Sequence, residues 1–397
     1  MKEYEYALSP TSQFFFCGVP FRLDIKPKCN LNCAYCFAMS RGGRRTNAEQ
    51  IINTDRFSKF FSQCVRSGDQ SNITQELISK RAPIHLGGMS DPFSDKESTE
   101  AFDKFFPLFC NQDDYPVVLS TKKPSEILKR DILIKKKNII IQVSLPILDP
   151  TLQRTIEPLS DPVQSRLEAI GKLVLLGKNV SCRIQPIIPQ LLPSIPKLID
   201  ALSRLQCTHV VFEFLKLPVE KNALNTSLLS EIFNVDMLAY YKANGATLIG
   251  REWLLPTEFR YNALLPIKQY SNNKGIHVSF GDYGLYHLGD CDCCCGIDLF
   301  GLNCTWNMGN FTMLIRRNKG EIHFSDLLEY WHPEHSMSRY INSKSRLGDD
   351  TMLSQLRNRW NHPGTANSPD SYLGVSCTWK KDDKDDYIYE NYNVEEV

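Results

Sequence analysis

Six short runs of β-branched and other apolar residues punctuate the first half of the chain, and they limit the folds open to it more than any other feature. They are Phe21-Arg22-Leu23-Asp24-Ile25, Pro83-Ile84-His85-Leu86, Pro116-Val117-Val118-Leu119-Ser120, Ile139-Ile140-Ile141-Gln142-Val143-Ser144, Val180-Ser181-Cys182-Arg183-Ile184 and His209-Val210-Val211-Phe212-Glu213-Phe214. Most are nearly continuous in apolar character, as strands buried on both faces must be. The stretches between them carry helix signals. One runs from Ser94 with Ala101, Phe102, Phe105 and Phe106 on one face, and another starts near Ser125 with Leu128, Ile132 and Leu133. A third opens at Ser160 or Asp161 with Pro162 in the first turn, repeats Leu167, Ile170 and Val174, and stops at Gly177. Alternating units of this kind predict an α/β fold with a parallel sheet and right-handed crossovers. Six units rather than eight predict an incomplete barrel.

In such folds the chemistry gathers at the carboxyl ends of the strands. After the first run comes Cys29-Asn30-Leu31-Asn32-Cys33-Ala34-Tyr35-Cys36, and after the second Gly87-Gly88-Met89-Ser90-Asp91-Pro92. Thr121-Lys122-Lys123 follows the third and Ser144 ends the fourth. Arg183 and Gln185 belong to the fifth, and Glu213 and Lys216 to the sixth. All six groups are therefore expected at one mouth. Thiolates hold iron–sulfur clusters, and three thiols spaced Cys-x3-Cys-x2-Cys cap three irons of a four-iron cluster while leaving the fourth open. A structural zinc wants four ligands, usually in two pairs, and no further Cys or His lies near this loop. A disulfide framework would need an oxidising compartment.

Cys29, Cys33 and Cys36, with Tyr35 before the last of them, resemble the signature of the radical S-adenosylmethionine (SAM) superfamily. The resemblance implies a partial (β/α)6 barrel and an enzyme whose [4Fe–4S] cluster binds SAM through the open iron. Electron transfer from the cluster then cleaves SAM to a 5′-deoxyadenosyl radical that abstracts hydrogen from a substrate. It also implies that the Gly87-Gly88 backbone meets the SAM amino group, the alternative being an ordinary turn. Lys122 is a candidate partner of the SAM carboxylate, or a solvated lysine. Ser90 and Ser144 are further candidates for the cofactor, and Ser144 could equally bond backbone. Tyr35 would pack near the cluster or adenine. Arg183, charged within an apolar strand, needs a partner: SAM, Asp24 or Glu213. Within the superfamily, residues 20 to 215 are similar to the spore photoproduct lyase-like branch. The similarity rests on Tyr35-Cys36-Phe37-Ala38, Met89-Ser90-Asp91-Pro92-Phe93, Ser120-Thr121-Lys122, Arg130-Asp131, Ile156-Glu157-Pro158 and Arg183-Ile184-Gln185-Pro186-Ile187-Ile188-Pro189. The lyase returns a hydrogen atom from a cysteine just before the serine of the second-strand loop. Here Leu86-Gly87-Gly88-Met89-Ser90 holds no cysteine, so lesion repair by that route is not expected.

The 397 residues, 42% of them hydrophobic, suffice for one large domain and an appendage. The net charge of +1 leaves no global footprint for nucleic acid, and Arg41-Gly42-Gly43-Arg44-Arg45 reads as a solvated basic loop. No stretch approaches the roughly 18–20 apolar residues of a membrane span, and Met1 to Tyr6 does not read as a signal peptide. Of 14 cysteines, three lie at the first loop and five at Cys291, Cys293, Cys294, Cys295 and Cys304. Such grouping favours metal over bridges and a reducing cytoplasm; Cys17, Cys64, Cys110, Cys182, Cys207 and Cys377 read as small buried hydrophobes.

The expected organisation is an N-terminal extension at 1–20 and the barrel at 21–245. A smaller cysteine-rich C-terminal lobe follows at 246–380, with its Cys-rich loop at 291–304, and then an acidic mobile tail at 381–397. The lobe should contain strands at Ala246-Thr247-Leu248-Ile249 and Ile276-His277-Val278-Ser279-Phe280. Its cysteines could hold a second iron–sulfur cluster, a zinc bound by Cys291, Cys294 and Cys304 with another Cys or His287, or no metal. Cys293, Cys294 and Cys295 must lie in a loop to share one ion, because adjacent strand residues face opposite ways. Trp306, Trp331, Trp360 and Trp379 read as anchors of the lobe. The functional expectation is a SAM-cleaving radical enzyme, reduced by a protein such as flavodoxin or ferredoxin and acting on a nucleic acid or nucleoside. Its rivals are a peptide- or protein-modifying enzyme with an auxiliary cluster, and a non-catalytic metal-stabilised binding protein.

Overall fold

The computed structural model describes the chain except residues 1, 6, 37, 39–49, 69, 113, 220–223, 283, 337–350, 366 and 392–397. The basic run at 41–45 and Phe37 lie outside the described residues. One sheet organises the rest. Its strands are β1 (Leu8–Pro10), β2 (Phe21–Leu23), β3 (Ile84–Leu86), β4 (Val117–Thr121), β5 (Ile139–Ser144), β6 (Asn179–Ile187), β7 (His209–Phe214) and β8 (His277–Phe280). They lie side by side in chain order. β2 through β8 are mutually parallel, and β1 pairs antiparallel with β2. This singly wound order is that of a partial barrel.

The period-2 alternation divides each strand between two environments. Val117 and Leu119 of β4, with Ile139, Ile141 and Val143 of β5, join the large core under the helices. Burying each such side chain contributes about 1.5–3 kcal/mol. Helix Val163–Leu175 supplies Ile170 and Leu173 to that core, and Gly177, at φ +69°, ends it. The intervening residues turn into the lumen. Val118 and Ile140 form a small apolar cluster there with Val19, Cys293, Cys295, Ile297 and Leu302. Higher up the lumen is polar and internally satisfied. The Ser120 hydroxyl lies 2.7 Å from His85 Nε2 and donates to Gln142 Oε1 at 2.9 Å. The His209 ring bridges Ser181 at 2.8 Å and Ser279 at 3.0 Å.

Three expected boundaries shift. β8, expected in the C-terminal lobe, continues the parallel sheet beyond residue 245, with Val278 opposite Val210. The N-terminal segment is not a separate extension: β1 edges the sheet, and Phe14, Phe15 and Phe16 enter the main core. The segment expected as a mobile tail is a strand, Tyr387–Asn391, between Gly320–Ile322 and Ser376–Lys381. Acidic composition suggested mobility, but alternation prevails: Tyr389 is fully buried and its hydroxyl donates to Trp360 O at 2.7 Å. Trp360 is likewise buried, 4.6 Å from the Tyr389 ring, whereas Trp379 is 70% exposed and anchors nothing in the core. Thr247–Ile249 is a strand as expected, but it pairs with Glu252–Leu254 in a separate three-stranded sheet.

Candidate functional site at the barrel mouth

A cavity of about 330 Å³ opens at the carboxyl ends of the strands. Its wall includes Cys29, Cys33 and Cys36 from the loop after β2. Tyr35, Gly87, Gly88, Lys122, Ser144 and Arg183 also line it, so the residues expected at the mouth converge there. Ser90 does not. It is buried behind the loop, where its backbone N–H donates to Asp24 Oδ1 at 3.2 Å, beside that of Met89 at 2.9 Å. Arg183 pairs with neither carboxylate directly. Its guanidinium donates to Gln185 Oε1 at 3.0 Å and to Ser120 Oγ at 3.3 Å, and Gln185 in turn donates to Glu213.

The cysteine loop is held from below. Ala34 N–H donates to Ile156 O at 2.8 Å, and the Tyr35 hydroxyl donates to Glu157. Glu157 faces Arg166 at 2.6 Å, with both side chains fully buried. Arg166 also donates to Ser144 O at 2.9 Å and to Asp161 O at 2.7 Å. One buried cation thus ties the end of β5 to the loop that carries the thiols. Sequence reading quoted Glu157 within a motif but missed Arg166. A charged residue amid the apolar face of helix Val163–Leu175 was the available signal, since such a charge must be paired.

Gly87 has φ +85°, and a Cβ there would stand 2.2 Å from Ser120 O. The neighbouring strand therefore requires this glycine independently of any ligand. Asp91, another unforeseen residue, joins the loops after β3 and β4. It accepts from Lys122 N–H at 2.6 Å, Phe93 N–H at 2.9 Å and the Thr121 hydroxyl at 3.0 Å. Burial still raises its pKa above the ordinary carboxylate value.

Electrostatically the mouth sets the half-buried Lys122 against the thiols. Burial works against the charge of Lys122, but Cys33 and Glu157 hold its pKa above the usual lysine value. Its Nζ lies 5.5 Å from the Tyr35 ring centre. Burial and the Asp91 charge push Cys29 up to about 11, and burial raises Cys33 further, opposed by Lys122. A metal that binds these sulfurs must displace their protons. Among the described residues, only Cys293, Cys294 and Cys295 bring three donor atoms within 4.8 Å of one another. The sulfurs of Cys29, Cys33 and Cys36 are therefore more widely spread. Spread thiols facing an open cavity fit a cluster that seats each ligand on a different iron.

The second cysteine group lies deeper in the lumen, against Val118 and Ile140, on an adjoining cavity of about 170 Å³ that shares Arg183, Gln185, Glu213 and Tyr286 with the mouth. Cys293 to Gly296 form a turn closed by Gly296 N–H to Cys293 O at 2.7 Å, so three consecutive side chains converge off any strand. The expected candidates Cys291 and Cys304 lie outside the convergent set: Cys291 bonds Ser279, and Cys304 has Arg81 as its charged neighbour. His287 is outside it too.

No family model matches the chain. Among curated proteins, uncharacterized proteins of Mycobacterium bovis and Mycobacterium tuberculosis are 24% identical to it over 188 residues, 45% of this chain and 53% of theirs. The chain thus spans about half the length of the curated relatives it matches. Among solved structures, a spore photoproduct lyase variant with bound AdoMet and dinucleoside spore photoproduct superposes with a TM-score of 0.51 at 14% identity, covering 70% of this chain and 80% of that one. A second variant, with the dinucleoside alone, gives 0.50 at 15% identity, covering 70% and 80%. The chain shares the fold of these spore photoproduct lyase structures.

Proposed function

We propose that this protein is a radical SAM enzyme. The observation that carries the reading is the single cavity onto which Cys29, Cys33 and Cys36 open together with Lys122, Gly87 and Gly88. The three thiolates would hold a [4Fe–4S] cluster, which when bound supplies the electron that cleaves SAM to methionine and a 5′-deoxyadenosyl radical.

The chain's own residues bind, orient and exclude water. Lys122, a half-buried point charge, pairs the SAM carboxylate. The Gly87-Gly88 backbone, turned at the positive φ of Gly87, accepts from the SAM amino group. Tyr35, locked by Glu157, keeps the cysteine loop against the wall. Ser144 supplies a hydroxyl at the end of β5.

The far side of the cavity carries Gln185, Glu213, Lys216 and Tyr286. Lys216 Nζ meets Glu213 Oε1 at 2.5 Å, so donors and acceptors stand together beside an aromatic ring. This chemistry suits a nucleoside or short nucleic acid, the class bound by the spore photoproduct lyase structures of the same fold. A low-potential flavodoxin or ferredoxin would supply the electron. Iron-loaded, reduced protein should release 5′-deoxyadenosine from SAM; intact SAM with a full iron complement would overturn the proposal. Stimulation of that release by oligonucleotides, weakening steeply with salt, would support the substrate class. Stimulation by peptides alone would exclude it.

A further inference from the structure

The floor of the barrel carries a second donor set that the mouth chemistry does not use. The turn Cys293–Gly296 projects three sulfurs to within 4.8 Å of one another. Cys17, from the other end of the chain, falls outside that group but borders it: it shares a cavity wall with the three and stands in hydrogen-bonding reach of Cys294 Sγ. The set is enclosed by Val19, Val118, Ile140, Ile297 and Trp306. On its other side the set borders a cavity of about 170 Å³ walled by His85, Gln142 and Arg183. Such a knot of thiols gains little from sulfur–sulfur hydrogen bonds, which are weak.

The surroundings are built for it. Val19 N–H points at Cys17 Sγ at 3.3 Å, the orientation that stabilises a ligating thiolate. Gly18 permits the approach, because a Cβ there would stand 3.0 Å from Cys293 Sγ and 2.7 Å from the Trp306 ring. Asn307 holds the Cys17 segment in place by donating to Phe14 O at 2.7 Å and to Cys17 O at 3.1 Å. Asp298 holds the other segment by accepting from the N–H groups of Asp292 at 2.8 Å and Cys293 at 3.2 Å. Asn138, just before β5, exchanges hydrogen bonds of 2.8 and 2.9 Å with Asn303, fixing the segment 291–304, a plug in the lumen, to the sheet.

The close spacing of the Cys293, Cys294 and Cys295 sulfurs favours one ion over a cubane. With zinc–sulfur bonds of about 2.3 Å, a tetrahedral S4 site places its sulfurs about 3.8 Å apart. A cubane seats its thiolates on separate irons and spreads them wider, as the mouth cysteines are spread. We infer that Cys293, Cys294 and Cys295 hold one zinc-type ion and that Cys17, drawn in from beside Cys294, completes a four-thiolate site, a structural staple at the barrel floor. The staple joins the segment between β1 and β2 to the plug that follows β8. Those strands are the two ends of a sheet that does not close on itself. The metal thus does what the missing strands of a full barrel would do. With all four positions filled by protein, the site offers none to a substrate. The proposal stands independently of the activity proposed at the mouth.

The test is metal analysis with X-ray absorption at the zinc edge, on protein expressed with zinc and on its variants. Wild type should hold about one zinc per chain, with four sulfurs at about 2.3 Å. Cobalt loaded in its place should show the thiolate charge-transfer and intense visible bands of tetrahedral S4 coordination. Cys17→Ser and Cys294→Ser should each lose that zinc or shift it to three sulfurs, while Cys291→Ser and Cys304→Ser keep it intact. The wild-type spectrum decides even where a variant does not fold. Wild type without zinc, or with disulfides among these cysteines, overturns the proposal. So does iron and sulfide bound through Cys294 in the Cys29→Ala/Cys33→Ala/Cys36→Ala background, or zinc that depends on Cys291 or Cys304 instead of Cys17.

Discussion

The mouth and the floor of this barrel both gather cysteines, and they do so in opposite ways. At the mouth, one contiguous loop presents three spread sulfurs to an open cavity beside a half-buried lysine. At the floor, sulfurs from two distant segments crowd together behind tryptophan and aliphatic side chains. The spread, three-ligand group leaves a coordination position for a small molecule, as a catalytic centre must. The crowded group, completed by Cys17 in the proposal above, would fill every position from the chain, as a structural centre does. Spacing and enclosure, rather than the number of cysteines, separate the two roles.

The largest expected difference follows from removing the mouth thiols. Cys29→Ala/Cys33→Ala/Cys36→Ala should lose about four irons and all 5′-deoxyadenosine formation. It should retain the floor zinc and unfold within a few degrees of wild type. A collapse of thermal stability would merge the two roles. Next is the buried pair behind the mouth. Arg166→Met leaves Glu157 buried and unpaired, which should cost about 3–5 kcal/mol in denaturant unfolding and lower iron loading. A neutral outcome would mean that the loop is held by its backbone contacts alone.

The polar layer of the lumen, between mouth and floor, should respond to acid. Burial pushes the His209 ring down to about 4. Its unfolded form takes up a proton near pH 6.5, so between these values the unfolded state binds more protons and stability falls as pH falls. For this one residue the loss should reach about 3 kcal/mol at pH 4. His209→Gln should flatten that part of the pH–stability curve, and an unchanged slope would remove the buried His209 ring from the explanation. Gly18→Ala, forced against Trp306 and Cys293, should cost about 1–3 kcal/mol by overpacking and weaken zinc retention, leaving iron content unchanged. Smallest of all, Lys122→Met should raise the Kd for SAM about tenfold, or about 1.4 kcal/mol, without touching zinc. Equal affinity would assign the carboxylate to another residue.

Much of the mouth was legible because its parts are local. Apolar runs announce strands, strand ends announce loops, and Cys29, Cys33 and Cys36 lie within one turn of chain. The floor was not legible for the same reason. Cys17 is a lone cysteine, and nothing near it in sequence refers to Cys293–Cys295; only the sheet's two ends bring them together. Cys291 and Cys304 were selected by proximity in sequence, which their folded neighbours override. Ser90 misled in the same manner, since its place beside Gly88 does not say which way the buried loop turns. The Tyr387–Asn391 strand shows composition yielding to alternation: its acidic neighbours are solvated, while Tyr389 anchors it under Trp360. Asp91 and Arg166 needed their partners to be seen.

The most direct measurement is a paired count of iron, zinc and 5′-deoxyadenosine in wild type, the triple mouth variant and Cys294→Ser, all reconstituted anaerobically and given dithionite and SAM. If the two cysteine groups serve separate ends, the mouth variant loses iron and product but keeps zinc. Cys294→Ser, assayed where it remains folded, loses zinc but keeps iron and forms product. Wild type that holds its irons and leaves SAM intact would contradict the catalytic role of the mouth. Irons that survive the mouth variant and vanish with Cys294→Ser would contradict the division of labour between mouth and floor.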